Sequence, residues 1–389
     1  MSDLNVNRPE QKNSIMNLLF GKLSWNLLFI IVGVIILMIV FNVLSDGVFL
    51  SQRNITLLLR QSAILGIVAA GMVLIIVTGN IDLSVGSAVY LVSVVVAQLT
   101  VTYDFGIIPS IICALLVGLL MGSFQGLMVA KLNIPAFIVT LAGMLIFRGI
   151  GYVWSNALTI GPVPRQIVQI SEGYIPPNIS LMLIIVVTGL AIFISVRSAL
   201  RLKEWENLRS KLWIKIVPII ILSLLSIWIF VGYKGIPMAV LVVAIGAMLL
   251  HFLMSNTKFG RNLYVIGGNK VAAKLSGVKV NQHLFISFVV MGLVYGIAGI
   301  LISARLSSAP PSAGELLELE AIASAVIGGT SLSGGIGVIP GALIGALLLS
   351  AIDNYMSLMN VSSFLQQVVK GLILLAAVWF DISVRKKKK

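Results

Sequence analysis

The chain has 389 residues, of which 59% are hydrophobic and only 10% charged, and it carries a formal net charge of +14. No soluble core absorbs that much apolar sequence, so an integral membrane protein is predicted. The charge does not point to nucleic acid: the bases gather at the N-terminus, in two internal loops and in Arg385-Lys386-Lys387-Lys388-Lys389, each beside an apolar stretch where topology and anionic lipid account for them.

Further exclusions come from individual residues. Cys113 is the single cysteine and lies in an apolar run, so no disulfide framework is expected. His251 and His283 have no neighbouring metal-ligand partner, and no metal site is expected. There is no G-x-x-x-x-G-K-[ST] phosphate loop; the one Gly-Lys pair, Gly21-Lys22, is followed by Leu23. Without a zinc-protease motif, paired catalytic carboxylates or a nucleophile elbow, the chain is expected to be no enzyme and to hold no cofactor.

Residues 1–24 form a polar tail with Arg8, Lys12 and Lys22. The run Trp25–Leu44 is too long for a signal-peptide core and lacks a small-x-small cleavage site, so it is taken as a retained first span. Further spans are predicted at 62–78, 85–102, 107–129, 135–153, 179–197, 214–233, 237–254, 284–304, 338–358 and 364–380, each near the ~20 residues a bilayer requires. The segment 319–329 is too short to cross and is expected to be a half-helix. The predicted fold is an all-α polytopic membrane protein of about 10–12 transmembrane helices, some short or broken. Its transmembrane domain covers 25–380, and 381–389 is a basic tail. With both termini cytoplasmic, about 20 of the 27 Lys and Arg fall inside, as the positive-inside rule requires. Gly118-x-x-x-Gly122-x-x-x-Gly126, Gly292-x-x-x-Gly296 and Gly341-x-x-x-Gly345 predict helix faces of small residues in close backbone contact.

A weak internal repeat relates Gly79–Gly86 (G-N-I-D-L-S-V-G) to Gly328–Gly335 (G-G-T-S-L-S-G-G), and Leu132–Phe137 to Met359–Phe364. Helices interrupted by Gly and Ser in two halves point to a transport pathway. The pathway or helix-break candidates are therefore Asp82, Ser84, Asn133, Ser331, Ser333 and Asn360. Asp82 or Ser84 is expected to cap the helix that follows. Arg148 is expected to snorkel to the headgroups, and Asp353 and Lys370 could pair. The stretch Arg305–Glu320 is read as an outer polar connector able to meet a soluble partner. Arg305, Glu315 and Glu318 are its contact candidates, and Glu315, Glu318 and Glu320 an acidic edge.

The longest polar loop of the second half, Ser255–Gln282, carries Lys258, Arg261, Lys270, Lys274 and Lys279 and no acid, which places it in the cytoplasm. Asn269 as N-cap and Gly277 past the C-terminus predict a two-turn helix over Lys270–Ser276. Val271, Ala272 and Leu275 give it a small apolar face. Two turns are unstable alone in water, so the helix needs a surface to lie in.

The run Gly260-Arg261-Asn262-Leu263-Tyr264…Gly267-Gly268-Asn269…Ala272-Ala273…Leu275-Ser276-Gly277 resembles the cytoplasmic coupling loop of bacterial monosaccharide ABC-importer permeases. Three other blocks extend the resemblance from about Phe49 onward: Gly79–Gly86, Pro135–Gly149 and Ala323–Gly345. Within that family the chain is most similar to xylose permeases, through Asp353-Asn354…Met356-Ser357…Met359 leading into Val369-Lys370-Gly371 and through an insertion near 198–240. The resemblance implies an inner-membrane permease homodimer, a separate ATP-binding cassette subunit docked on Asn269, Val271, Ala272, Ala273, Leu275, Ser276 and Gly277, and a periplasmic sugar-binding protein. The cargo implied is a monosaccharide, D-xylose first. The alternative is an ion-coupled secondary sugar transporter in which acids such as Asp82 or Asp353 bind protons or sodium.

Overall fold

The computed structural model describes residues 25–201 and 208–386. The N-terminal tail, part of the basic 197–215 loop and the last three lysines lie outside the described residues. Along the chain come α1 (Trp25–Leu44), α2 (Gln52–Val77), α3 (Val85–Ala97) with a π-wound extension Gln98–Thr102, α4 (Ile107–Ala130) and α5 (Ala136–Ser155). Then follow α6 (Arg165–Glu172), α7 (Pro177–Arg201), α8 (Leu208–Ser226) with a π-wound end Ile227–Val231, and α9 (Met238–Asn256). The chain continues with α10 (Lys258–Gly268), α11 (Lys270–Leu275), α12 (Val280–Leu306), α13 (Leu317–Ile327), α14 (Ile339–Leu358) and α15 (Ser363–Lys386). Two short strands, β1 (Tyr174–Ile175) and β2 (Ile236–Pro237), pair antiparallel.

Eight of the described helices are long and apolar enough to cross a membrane, and shorter apolar helices lie at Ile30–Leu44, Ile216–Val231 and Ser363–Trp379. The short segment expected near 319–329 is an 11-residue helix, α13, only about 16 Å long at 1.5 Å per residue. One span starts well before its hydropathy suggests: α2 opens at Gln52 rather than at 62. Its polar first turns are tolerated because Arg60 is neutralised there, pairing with Glu172 at 2.7 Å and donating to the Tyr174 hydroxyl at 3.0 Å.

The centre of the bundle is α2 and α3. Every residue of α2 from Ala63 to Val77 is buried, as is every residue of α3. Helices apolar on all sides belong at such a centre. Around them the outer helices divide their faces. On α4, Ile108, Ile112, Leu116, Leu120 and Phe124 form an exposed stripe, while Gly118 and Gly122 face the backbone of α12 around Phe288 and Gly292, so closely that a Cβ at either would collide with it. The same holds where Gly341 and Gly345 of α14 meet Gly328 and Ser324 at the end of α13. Asn54 of α2 and Asn354 of α14 exchange amide hydrogen bonds at 2.8 and 3.1 Å. The 198–240 stretch contributes α8 and β2; α7 and α8 pack on each other through Thr188 and Ser223, 2.9 Å apart, and meet α2 where Gln52 donates to the Trp228 carbonyl.

Replacing Gly122 with leucine should lower the thermal unfolding midpoint of the detergent-purified protein, the overpacking cost being about 1–3 kcal/mol. An unchanged midpoint would mean that α4 and α12 do not touch there.

Candidate functional site

Asp82 lies in the link between α2 and α3, fully buried at the depth of Tyr295, near the middle of α12. A carboxylate there costs about 2.5–3.5 kcal/mol on insertion scales unless it is satisfied. Its Oδ1 accepts the Ser84 N–H at 2.9 Å and the Ser84 hydroxyl at 2.7 Å. Its Oδ2 accepts the Tyr295 hydroxyl. Gln125 closes the ring from α4: its Nε2 donates to Ser84 Oγ at 2.6 Å, and its Oε1 stands 3.1 Å from the Tyr295 oxygen. The expected cap is therefore only half right. Asp82 accepts from the N-cap residue Ser84 itself, and Ser84 makes no side-chain cap bond.

The free N–H of Gly86 in the first turn of α3 is taken instead by Glu318, whose Oε2 accepts it at 3.2 Å across 232 residues of sequence. Glu318 sits in the first turn of α13, so its carboxylate lies where the N-termini of α3 and the short α13 meet. Both positive dipole ends stabilise it. The approach is closed by backbone, since a Cβ on Gly86 would overlap the Gly314 carbonyl and Glu318 itself. Leu316, the residue before α13, is held left-handed at φ 59°, a conformation that costs a non-glycine residue roughly 1–2 kcal/mol. Arg148 braces this turn, donating to the carbonyls of Pro311 and Ala313 at 3.1 and 2.9 Å, with its guanidinium 4.8 Å above the Tyr90 ring.

Two expectations are thereby corrected. Arg148 does not snorkel outward; two unpaired carbonyls draw it inward. The Arg305–Glu320 stretch is only in part a solvated outer connector: Arg305, Ser312 and Glu315 are exposed, but its end folds into the bundle to start α13. Glu318 is buried and unable to meet a soluble partner, and Glu320 is bound to Lys370 at 2.6 Å. Lys370 also pairs with Asp353 at 2.8 Å, as the sequence had suggested. Glu315 is exposed in its turn, and Arg305 lines a cavity shared with Glu320, Asp353 and Lys370.

The two breaks of the repeat lie against each other. The Gly335 N–H donates to the Val77 carbonyl at 2.8 Å, joining the α13–α14 link to the end of α2. Asn133 and Asn360, after α4 and α14, both adopt left-handed conformations, φ 55° and 54°, and serve as helix terminators. Ser331 is buried and shapes its own turn, accepting the Ser333 N–H at 3.2 Å; Ser333 is exposed.

The coupling-like loop is more ordered than its sequence suggests. Thr257 caps α10 by accepting the Gly260 N–H at 3.1 Å, and Leu263 and Ile266 bury its apolar face. This helix presses on both breaks. Gly267 lies so close to the Val77 carbonyl and the Gly335 N–H that no side chain fits. Tyr264 donates to the Gly337 carbonyl at 2.8 Å, and burial pushes its phenol pKa up, so it remains a donor. Asn269 then caps α11, its Oδ1 accepting the N–H groups of Val271 and Ala272 at 3.1 and 2.9 Å, and Gly277 turns the chain at φ +80°. Val271 and Leu275 are 70% and 84% exposed, and Ala272 and Ser276 face outward beside them. Ala273 is the exception among the docking candidates: it is fully buried, packed with Ala130, Ile266, Val280 and Leu284.

The sequence reading passed over Gln125, Tyr295 and Tyr264, and it misassigned Glu318. A signal existed for Gln125, a lone amide between Gly122 and Gly126 in an apolar helix, since such residues find partners inside the bundle. Removing a partner tests the network. Tyr295→Phe leaves a buried carboxylate oxygen short of a donor and should destabilise the fold by about 1–3 kcal/mol. Glu318→Gln, which keeps an acceptor for Gly86, should unfold at a higher temperature than Glu318→Leu; equal midpoints would show that the Gly86 bond carries no stability.

Residues 54–378 match the family described as branched-chain amino acid transport system / permease component. The xylose transport system permease protein of Escherichia coli is 41% identical over 92% of both chains. That of Haemophilus influenzae is 42% identical over 92% of this chain and 96% of its own. The ribose import permease protein of Bacillus subtilis is 36% identical over 91% of both chains. No solved structure matches the chain. The match runs from the first turn of α2 into α15, leaving only α1 of the bundle outside it, and the chain belongs to this family of transport-system permease components.

Proposed function

We propose that this protein is the membrane subunit of an ATP-driven importer of a monosaccharide, D-xylose being the cargo suggested by the relatives' names. The observation that carries the proposal is α11: a capped two-turn helix that leaves Val271 and Leu275 uncovered while its neighbour α10 grips both helix breaks. Exposed apolar side chains beside the bases Lys270 and Lys274 suit the groove of a soluble subunit. The chain has no phosphate loop of its own, so that subunit is the one that hydrolyses ATP. A periplasmic sugar-binding protein delivers the cargo at the opposite end, where Glu315 is the exposed acid of the α12–α13 turn. Two copies of the chain form the pathway, with termini in the cytoplasm, and the chain needs no cofactor.

The mechanism is alternating access. When the ATPase pair closes on nucleotide, it moves the α11 helices; α10 passes the displacement to Val77 and Gly335, and α3 and the short α13 shift with them. The membrane subunit supplies no chemistry, only two arrangements of one bundle.

Leu275→Asp and Val271→Asp place a charge on a surface that is already exposed, so the chain should fold and keep its unfolding midpoint. Each should reduce the vanadate-sensitive ATPase that co-purifies in mild detergent by at least ~10-fold, about 1.4 kcal/mol of docking energy or more. Undiminished co-purification in both variants would remove α11 from the docking surface.

A further inference from the structure

A cavity of ≈ 280 Å³ lies between α2, α12, α13, α14 and α15. Its polar lining is Gln61, Arg305, Glu320, Ser350, Asp353 and Lys370, and its apolar wall is Ile64, Leu65, Ile302 and Leu317. One water needs only about 10–15 Å³ on such a measure, so there is room for a ring-sized solute with its hydroxyls in place of water. Lys370 holds Glu320 and Asp353 at 2.6 and 2.8 Å, and Arg305 supplies a second cation. Two positive and two negative groups leave the lining without net charge, which gives no advantage to an ion. Ser357 completes the polar lining; the second Asp353 oxygen, Oδ1, is enclosed by protein and does not reach the cavity.

We propose that this cavity is a transit site for a neutral monosaccharide, its hydroxyls exchanging bonds with Gln61, Ser350 and Ser357, its C–H face against Ile64 and Ile302. The inference rests on the importer reading above and names where the cargo pauses. No aromatic side chain lines the cavity. A sugar there lacks the ring-on-ring contact that makes tight sites tight. Weak retention is what a transit site requires, since cargo has to leave as readily as it enters.

The test uses the full complex with its ATPase and binding protein in proteoliposomes, with Cys113→Ser as background and Gln61→Cys as reporter. A water-soluble thiol reagent should label the introduced thiol, and D-xylose at twice its site dissociation constant should slow labelling ~threefold by occupancy, in the nucleotide-free or the vanadate-trapped state. A dextran polymer, too large to enter, should not. Labelling that D-xylose leaves unchanged in both states, or that dextran slows equally, would overturn the proposal. So would a reporter that is blocked before sugar is added and freed by delipidation, which would assign the cavity to a lipid headgroup. If the unsubstituted complex hydrolyses ATP but moves no monosaccharide, the importer reading fails instead, and xylose protection of the thiol would still mark the cavity as a sugar site.

Discussion

Backbone polar groups inside a bilayer have no water to bond, and that constraint governs this fold. Two of its helices, α3 and α13, begin within the bundle, each with free N–H groups in its first turn. Glu318, in the first turn of α13, meets the first need by accepting from Gly86 at the start of α3. The opening N–H groups of α13 bond within their own turn, Leu317 to the Gly314 carbonyl and Leu319 to that of Leu316. The solution demands neighbours without side chains, which Gly86 and Gly314 provide. It also requires a chain turn held in place, which Arg148 secures through the Pro311 and Ala313 carbonyls. Asp82, Ser84, Gln125 and Tyr295 then form a second fully satisfied cluster just beyond. A satisfied polar network in low dielectric is stiff, and half of one is worse than none.

That stiffness shapes how a push at α11 can travel. The helix breaks end on the surface that α10 covers, with Val77, Gly267 and Gly335 in direct backbone contact. Displacing α10 moves backbone against backbone, and no flexible side chain lies between to absorb it. Helices α3 and α13 above are tied through Glu318 and the Asp82 ring, so they are built to shift as bodies. Packed elements of this kind have discrete arrangements, the property a two-state transporter requires.

How much of this was legible in the sequence depends on the range of the interaction. Spans, the short α13 and the glycine faces of α4, α12 and α14 follow from local composition, because lipid imposes length and helix contact imposes small residues. The cap of α11 was legible for the same reason: Asn269 and the N–H groups that donate to it lie within three residues. Helix α10 was missed although Phe259, Leu263 and Ile266 repeat at helical spacing, because Gly260, Gly267 and Gly268 disguise it as a turn-rich loop. Gly260 and Gly267 are there for close approach, not for turning. Glu318 looked like surface acid beside Glu315 and Glu320, and no local pattern separates a solvated carboxylate from one that caps a helix 232 residues away. Ala273 was counted with the exposed docking residues because a six-residue helix has too few positions to declare which face is inward.

The two acid clusters show why one chain can be rigid and permissive at once. Around Asp82 every donor comes from the protein, the site is closed, and nothing is left over for a solute. Around Asp353 the charges also cancel, yet the space beside the cluster, lined by Gln61 and Ser350, is empty enough for a ring. Cancelled charge lowers the cost of burying the cluster without making it a strong site for anything charged. A neutral, hydroxyl-rich cargo gains a few hydrogen bonds there and little else. Selection of the cargo then rests with whatever protein hands it over, and the membrane subunit needs only to let it pass.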